Sequence, residues 1–542
     1  MNHSMKFYSS IRIWGLATVM AIASGCEDFL DINVDPNNPS KVTVSQLLTA
    51  GEVAMVNSFG IGSPGLSTPT SILVHQTVQR GSVDSYNVSG EDFQIQTAWQ
   101  NLYSGALEDY KVIIDQGTVE NNLQYVGIAK LLTAYSYSMM VDMWGDIPFS
   151  EALGGAEVQF PHYDDDAAIY PQLFAMIDDG IANLASEEGA SPGSDDVIYG
   201  GDMDLWRQFG KTLKLKLYNQ IRLVQDVSAE VNALIAGGDL MEAGGDFELV
   251  YGQSVAPDDR NPAFVLEYTP GNRPSYISPY FYEIMTDQSN LNDVLSGIED
   301  PRVPYYWFNQ LTDPADAQNP TEYSDDNGFV SIWFASQGVD QGWQQDRSQT
   351  VLGLYPIGGR FDDGEGGEVD LSGDVSGPGD VAQRLLPYFS SLYIQAELAL
   401  TEPGVTGDPR ALFEDAMWAS FDKVNAIADD AGAPDMSDAT IEPYIDAVLA
   451  KYDAAGNAGK LELIMTEKWI ASFGFAMDAY TDYRRTGYPV LFDPNTDPLP
   501  YTVTSRGYPV SLAYNSQSLN LNQNAPESPK TVTTDRIFWD PN

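Results

Sequence analysis

Aromatic side chains crowd one Gly-, Pro-, Asp- and Asn-rich part of the chain, about residues 245–380. A pyranose ring has an apolar face of C–H groups that packs on an aromatic plane. Planar amides, carboxylates and guanidinium groups then fix its hydroxyls. Trp333 and Trp343 lead as such platforms, because Ser331, Gln341, Gln344 and Asp346 flank them with polar partners. Tyr86 follows, in the polar loop GSVDSYNVSG (81–90) beside Arg80. Tyr276, Tyr280 and Trp307 extend the ring set, and Asp326 and Asn327 add groups for hydroxyls. Core packing is the competing reading for every one of these rings. Trp99, at the start of a helical pattern, reads as structural.

The acidic clusters Asp164–Asp166, Asp325–Asp326 and Asp362-Asp363-Gly364-Glu365 are the other groups with chemical potential. A glycosidase needs two carboxylates about 5–9.5 Å apart, one with a raised pKa. A chain with 77 acidic residues always holds such pairs, so solvated surface is the better reading. No cluster fits an EF-hand loop, and calcium in an acidic loop stays open only as a structural ligand. The three histidines, His3, His75 and His162, are too few for a His-based metal centre. The single cysteine, Cys26, permits no internal disulfide and no CxxC motif. There is no nucleophile elbow, phosphate-binding loop, HExxH or dinucleotide fingerprint. No catalytic residue, cofactor or catalytic metal is assigned.

The 542 residues carry 27 basic against 77 acidic side chains, a net charge of -50. Such a surface repels phosphate backbones and anionic headgroups, which excludes nucleic acid. An anionic ligand would need a local basic patch, so a neutral one is the default. The basic segment Arg207–Arg222 reads as paired with acidic neighbours.

Residues 1–25 read as a secretory leader: Lys6 and Arg12 precede the apolar run Ile13–Ala23, which is too short to span a membrane. Ala23-Ser24-Gly25-Cys26 resembles a bacterial lipobox, so Cys26 is the expected acylated first residue. Each buried acyl CH₂ contributes roughly 0.8 kcal/mol to anchoring. Residues 26–41, polar and rich in Pro and Asn, form an expected tether.

The body, 42–542, must position the rings. Ile128, Leu131, Leu132, Tyr135 and Met139 fall on one helix face. Further stripes run over Leu205–Val224, Leu385–Leu400 and Trp469–Tyr480, with weaker patterns at 42–58, 92–116, 166–184, 409–427 and 440–452. Helices thus fall in two blocks, about 42–237 and 383–485. Helix pairs of this length resemble tetratricopeptide packing without a strict period, and their unburied faces favour stacking. The irregular insertion at 245–380 separates the blocks, with short strands expected at Ala263–Tyr268 and Phe329–Phe334. A second irregular segment covers 487–542.

The order of motifs resembles the SusD/RagB family, in its SusD-like branch. The carriers are Cys26 followed by EDFLDINVDPNNPS, then AWQNLYSGALEDY (98–110), MWGDIPFSEAL (143–153), DPRVPYYW (300–307) and LIMTEKWIASFGFAMDAYTDYRRTGYPVL (463–491). RGYPVSLAYN (506–515) and RIFWD (536–540) close the set. The resemblance implies a mainly α fold: a right-handed superhelix of tetratricopeptide-like helix pairs carrying the irregular insertion and a few strands. It implies a non-catalytic, lipid-anchored lid on the outer face of the outer membrane. Such a lid captures a glycan and hands it to a SusC-like TonB-dependent transporter. One side of the site is expected in the early loop with Tyr86, and Trp307 falls in a family-like segment that reads as architecture. With the charge, a neutral polymer such as a β-glucan is the expected cargo. A peptide-capturing, RagB-like lid and a surface glycosidase are the alternatives.

Overall fold

The computed structural model describes residues 42–62, 64–79, 86–336, 345–372, 375–497, 499 and 505–541. Cys26, Arg80 and Trp343 lie outside the described residues, as do the expected leader and tether.

Helix α1 (Val44–Phe59) begins at a capping box, in which Thr43 and Gln46 exchange side chain-to-backbone hydrogen bonds. Helix α2 (Ser67–Leu73) leads into strand β1 (Thr77–Gln79). Helix α3 (Phe93–Asn101) passes through a π-helical turn at Leu102–Leu107 into α4 (Glu108–Glu120), one helical run where the pattern at 92–116 predicts it. Helices α5 (Leu123–Trp144), α6 (Asp166–Leu184), α7 (Met203–Ile221) and α8 (Ser228–Gly237) complete the first block. Successive members pack on one another: α4 on α5, α5 on α6, α6 on α7, α7 on α8. This is the stacking of helix pairs that the apolar stripes predict.

Helix α5 is the axis of the block and is buried nearly all round. Two of its hydroxyls bond back to its own carbonyls, Thr133 donating to that of Ala129 at 2.7 Å and Ser138 to that of Tyr135 at 2.7 Å. Where α5 meets α6, the backbones nearly touch. A Cβ on Gly127 would lie 2.8 Å from the Gly180 carbonyl oxygen, so only glycine fits the crossing.

The insertion holds β2 (Phe247–Leu249), α9 (Pro262–Glu267), β3 (Ser275–Ile277), α10 (Pro279–Met285), α11 (Val303–Tyr306), β4 (Trp307–Phe308), β5 (Tyr323–Ser324), β6 (Val330–Ser331), β7 (Val351–Leu352), α12 (Leu354–Ile357) and β8 (Gln383–Leu386). The strands form antiparallel pairs: β1 with β3, β2 with β8, β4 with β7 and β5 with β6. The strand expected at Ala263–Tyr268 is instead helix α9. Asn261 caps it, accepting from the Ala263 amide at 2.9 Å, and Pro262 supplies the first helical φ. Of Phe329–Phe334 only Val330–Ser331 is strand.

In the second block, α13 (Tyr388–Thr401) packs on α14 (Pro409–Ala431), α14 on α15 (Asp438–Ala454), and α16 (Asn457–Ala471) on α13 and α15. The stripe expected to run through Leu385–Leu400 begins only after Pro387, with Leu385 in β8. The stripe at Trp469–Tyr480 divides. Helix α16 stops at Ala471, Gly474 turns the chain at φ +99°, and α17 (Met477–Thr486) starts anew. A final short helix, α18, covers Ser516–Leu521.

The blocks meet where α7 contacts α13. The bases of α7 find acids, as the sequence suggests: Lys211 with Asp239 at 2.7 Å, Lys214 with Asp178 at 2.6 Å, Lys216 with Asp478 at 2.6 Å, and Arg222 with Glu397 at 2.8 Å. The segment around 535–540 returns to the first block, where the Trp539 indole donates to Asp142 Oδ1 at 2.9 Å. No helix among the described residues is long and apolar enough to cross a membrane.

Candidate ligand-binding site

Strands β1 and β3 run in register Thr77↔Ile277, Val78↔Tyr276 and Gln79↔Ser275. That pairing fastens the beginning of the early loop to the insertion. Three non-glycine residues here take left-handed backbone: His75 (φ 57°), Tyr86 (φ 53°) and Ala335 (φ 58°). Each such residue costs on the order of 1 kcal/mol, so the surrounding contacts must hold it in place.

Those contacts are rings. The Tyr86 hydroxyl lies 2.8 Å from His75 Nε2. Phe334 sits 4.7 Å from the Tyr86 ring and 4.5 Å from the His75 ring, centroid to centroid. Tyr508 closes on Tyr86 at 5.1 Å. His75 is fully buried, and burial pushes its imidazole down to about 3, so the ring is neutral. Burial likewise pushes the Tyr86 phenol up.

Tyr86 and Phe334 form one wall of a cavity of about 310 Å³. Pro69, Ile72 and Phe93 supply further apolar wall, and Gln79, Asn87, Asp92 and Gln94 supply amides and a carboxylate. Phe93 is 60% exposed at the first turn of α3, a large ring open to solvent. Asp92 accepts from the Ser89 amide at 2.8 Å, and burial raises its pKa. An open ring beside planar amides, with no lysine or arginine among the described lining residues, suits a neutral polyhydroxylated ligand.

The sequence-expected residues divide between this place and others. Tyr86 lines the cavity. Trp333 precedes Phe334 but is only 8% exposed, packed edge-to-face with Tyr323 at 5.3 Å and with Phe492 at 6.1 Å. Tyr276 and Tyr280 are core residues, and Tyr280 accepts from Asn292 Nδ2 at 3.1 Å. Trp307 is buried too, but its side borders a second cavity of about 610 Å³, together with Asp326, Asn327, Glu299 and Asp362. Phe93 escaped the sequence reading, although an aromatic ring directly after a polar loop at a helix start was its available signal. Nothing in the sequence singled out His75 as the partner of Tyr86.

The acidic clusters serve local structure. Asp164 accepts from the Phe149 and Ser150 amides, both at 2.9 Å, and Asp325 from the Asn327 amide at 2.9 Å. Asp146, Asp165 and Asp166 bring carboxylate oxygens within 4.8 Å of one another. The Lys530 ammonium, bonded to the Trp144 carbonyl, supplies a positive charge there; burial lowers its pKa to about 8 against the pull of Asp146 and Asp166.

No curated protein matches the chain. Solved structures share its fold. A SusD homologue from Bacteroides fragilis NCTC 9343 matches with a TM-score of 0.67 at 16% identity, covering 92% of this chain and 99% of that one. A SusD/RagB family protein from Bacteroides thetaiotaomicron VPI-5482 gives 0.66 at 20% identity, covering 93% and 100%. A chitin-binding SusD homologue from Flavobacterium johnsoniae gives 0.65 at 20% identity, covering 91% and 99%. The family model SusD-like_2, described as "Starch-binding associating with outer membrane", matches residues 36–514. With most of its length matched by that model, the chain belongs to the SusD-like family.

Proposed function

We propose that this SusD-like protein is a non-catalytic glycan-binding lipoprotein of the outer face of the outer membrane, anchored through Cys26. It captures an oligo- or polysaccharide and delivers it to a SusC-like TonB-dependent transporter. The carrying observation is the cavity where the open Phe93 ring stands beside Gln79, Asn87 and Gln94, against the Tyr86–Phe334 wall. Among the described residues Asp92 is its one charged side chain, which favours a neutral glycan such as a β-glucan. The family's description as starch-binding and the chitin-binding Flavobacterium relative support a saccharide cargo.

The test is affinity gel electrophoresis of residues 27–542 against neutral, uronic and sulfated polysaccharides, with casein-derived peptides alongside and sugar release recorded. Retardation by a neutral glycan without released sugar is the expected result. Released sugar would point to a glycosidase, and binding to peptides alone to a RagB-like lid.

A further inference from the structure

In a chain of 77 acids and 27 bases, an anionic ligand needs a place where the balance reverses locally. Among the described residues, the Phe93 groove is lined by one carboxylate and no base, and the Trp307 cavity by Glu299, Asp326 and Asp362 with no base. A third cavity, of about 660 Å³, lies between the insertion and the C-terminal end of α14, and it differs. Among the described lining residues are Arg260 and Arg360 and one carboxylate, Asp363, while Asp258 pairs with Arg260 from beside the cavity. Phe264, Phe361 and Leu371 give it apolar wall, and Gln253 and Ser376 give it neutral polar groups.

Both arginines are held in place and only partly used. Arg260 is buried, commits Nε and Nη2 to Asp258 at 2.9 and 2.7 Å, and lies over the Phe264 ring at 5.7 Å. Arg360 commits Nη2 to Asp363 at 3.1 Å and lies over the Phe308 ring at 4.5 Å. Its backbone amide donates to the buried Tyr268 hydroxyl at 2.7 Å, and that hydroxyl donates in turn to the Leu352 carbonyl at 3.0 Å. Nη1 of Arg260 and Nε and Nη1 of Arg360 make no hydrogen bond among the described residues. A guanidinium fixed on one edge presents its remaining N–H groups in a planar fork, the geometry that carboxylates accept. The cavity falls within the roughly 300–1,000 Å³ range of small-ligand sites.

We infer that the cavity lined by Arg260 and Arg360 is a second binding site, distinct from the Phe93 groove, for the carboxylate of an acidic sugar. The guanidinium N–H groups take the carboxylate, while Phe361, Gln253 and Ser376 face the rest of the ring. The sugar part of the assignment rests on the glycan-binding reading above, whereas the carboxylate part does not.

Isothermal titration of the soluble chain with glucuronate, glucose and acetate tests it. Glucuronate should bind, glucose should not compete for it, and acetate should bind at least about tenfold more weakly than glucuronate. Arg360→Gln should weaken glucuronate at least about tenfold, the loss expected on removing charge-assisted hydrogen bonds. Ser376→Asp, which adds a carboxylate to the wall of a folded protein, should do the same, and raising salt should weaken binding in the unsubstituted chain. Phe93→Ala should leave glucuronate binding unchanged. No glucuronate binding, or equal binding by both cavity variants with their folds intact, overturns the site. Acetate binding as tightly as glucuronate overturns the sugar assignment. Loss of neutral-glycan retardation in Phe93→Ala with glucuronate binding retained would show the two sites to be separate.

Discussion

Glu397 Oε2 accepts a hydrogen bond from Arg485 Nη2 at 2.9 Å, and both side chains are completely buried. Arg222 reaches the other Glu397 oxygen at 2.8 Å, and Arg485 also holds Asp482 at 2.7 Å, which pairs with Lys468 at 2.7 Å. Arg222 directly follows α7 and the others come from α13, α16 and α17, so one charge lattice ties the first helical block to the second. Burial alone would raise the Glu397 pKa, but the guanidiniums of Arg485 and Arg222 together hold it well below the carboxylate range. Removing one partner leaves the others charged and dry. Glu397→Gln and Arg485→Met should each cost about 3–5 kcal/mol, read as a shift of the urea midpoint. A midpoint within error of the unsubstituted protein would show that the lattice is dispensable.

The α5–α6 crossing should be equally intolerant. Gly127→Val drives side-chain carbons into the Gly180 carbonyl, and overpacking of this kind costs about 1–3 kcal/mol or more. Thermal melts check this. Gly155→Ala is not the right control, since its φ of 57° carries its own strain. Gly237→Ala is better, at the last residue of α8 with open space around it, and it should not lower the melting temperature.

Phe93 and Trp333 should behave in opposite ways. The Phe93 ring is open, so Phe93→Ala should weaken glycan binding by about 1–3 kcal/mol with the melting temperature preserved. Trp333 packs against Tyr323 and Phe492, so Trp333→Ala should cost about 3 kcal/mol or more of stability. If Trp333→Ala melts normally and loses affinity, then Trp333 is the platform and the assignment reverses.

His75 gives stability a pH dependence. Its folded pKa, about 3, lies below the unfolded value of 6.5. The unfolded chain therefore binds the proton first, and stability present above pH 6.5 is lost as pH falls towards 3. The full effect is on the order of several kcal/mol. Urea unfolding at pH 7, 5.5 and 4 should show the decline, and His75→Gln should flatten it. An unchanged slope in that variant would place the dependence on other groups.

Much of the helical framework was legible because its stripes are long. The pattern at 166–184 marks α6 to the residue, and that at 409–427 marks the start of α14 but ends four residues before Ala431. The apolar run Ala263–Tyr268 misled, because five or six residues carry no period that separates strand from helix, and Asn261 with Pro262 decided for helix. The stripe at Trp469–Tyr480 continues in phase across Gly474, so periodicity could not show the break between α16 and α17. Trp307 and Tyr280 carry the same ring chemistry as an exposed platform. Their burial depends on β4–β7 pairing and on Val490, neither of which the local sequence contains. The early loop was legible through Tyr86, whereas Phe93 and the arginine-lined cavity come together only through long-range packing.

The bond from Trp539 to Asp142 spans 397 residues, and that from Trp469 to the Val74 carbonyl spans 395. Helix α5 therefore has its final neighbour at the opposite end of the covalent order. Closing loops of that length must precede the reward of the contact, which slows folding. Until the segment around 535–540 docks, the first block lacks the indole that bonds Asp142. Either side of a break in the insertion, the chain would hold only part of that shared core, so neither half can complete it alone.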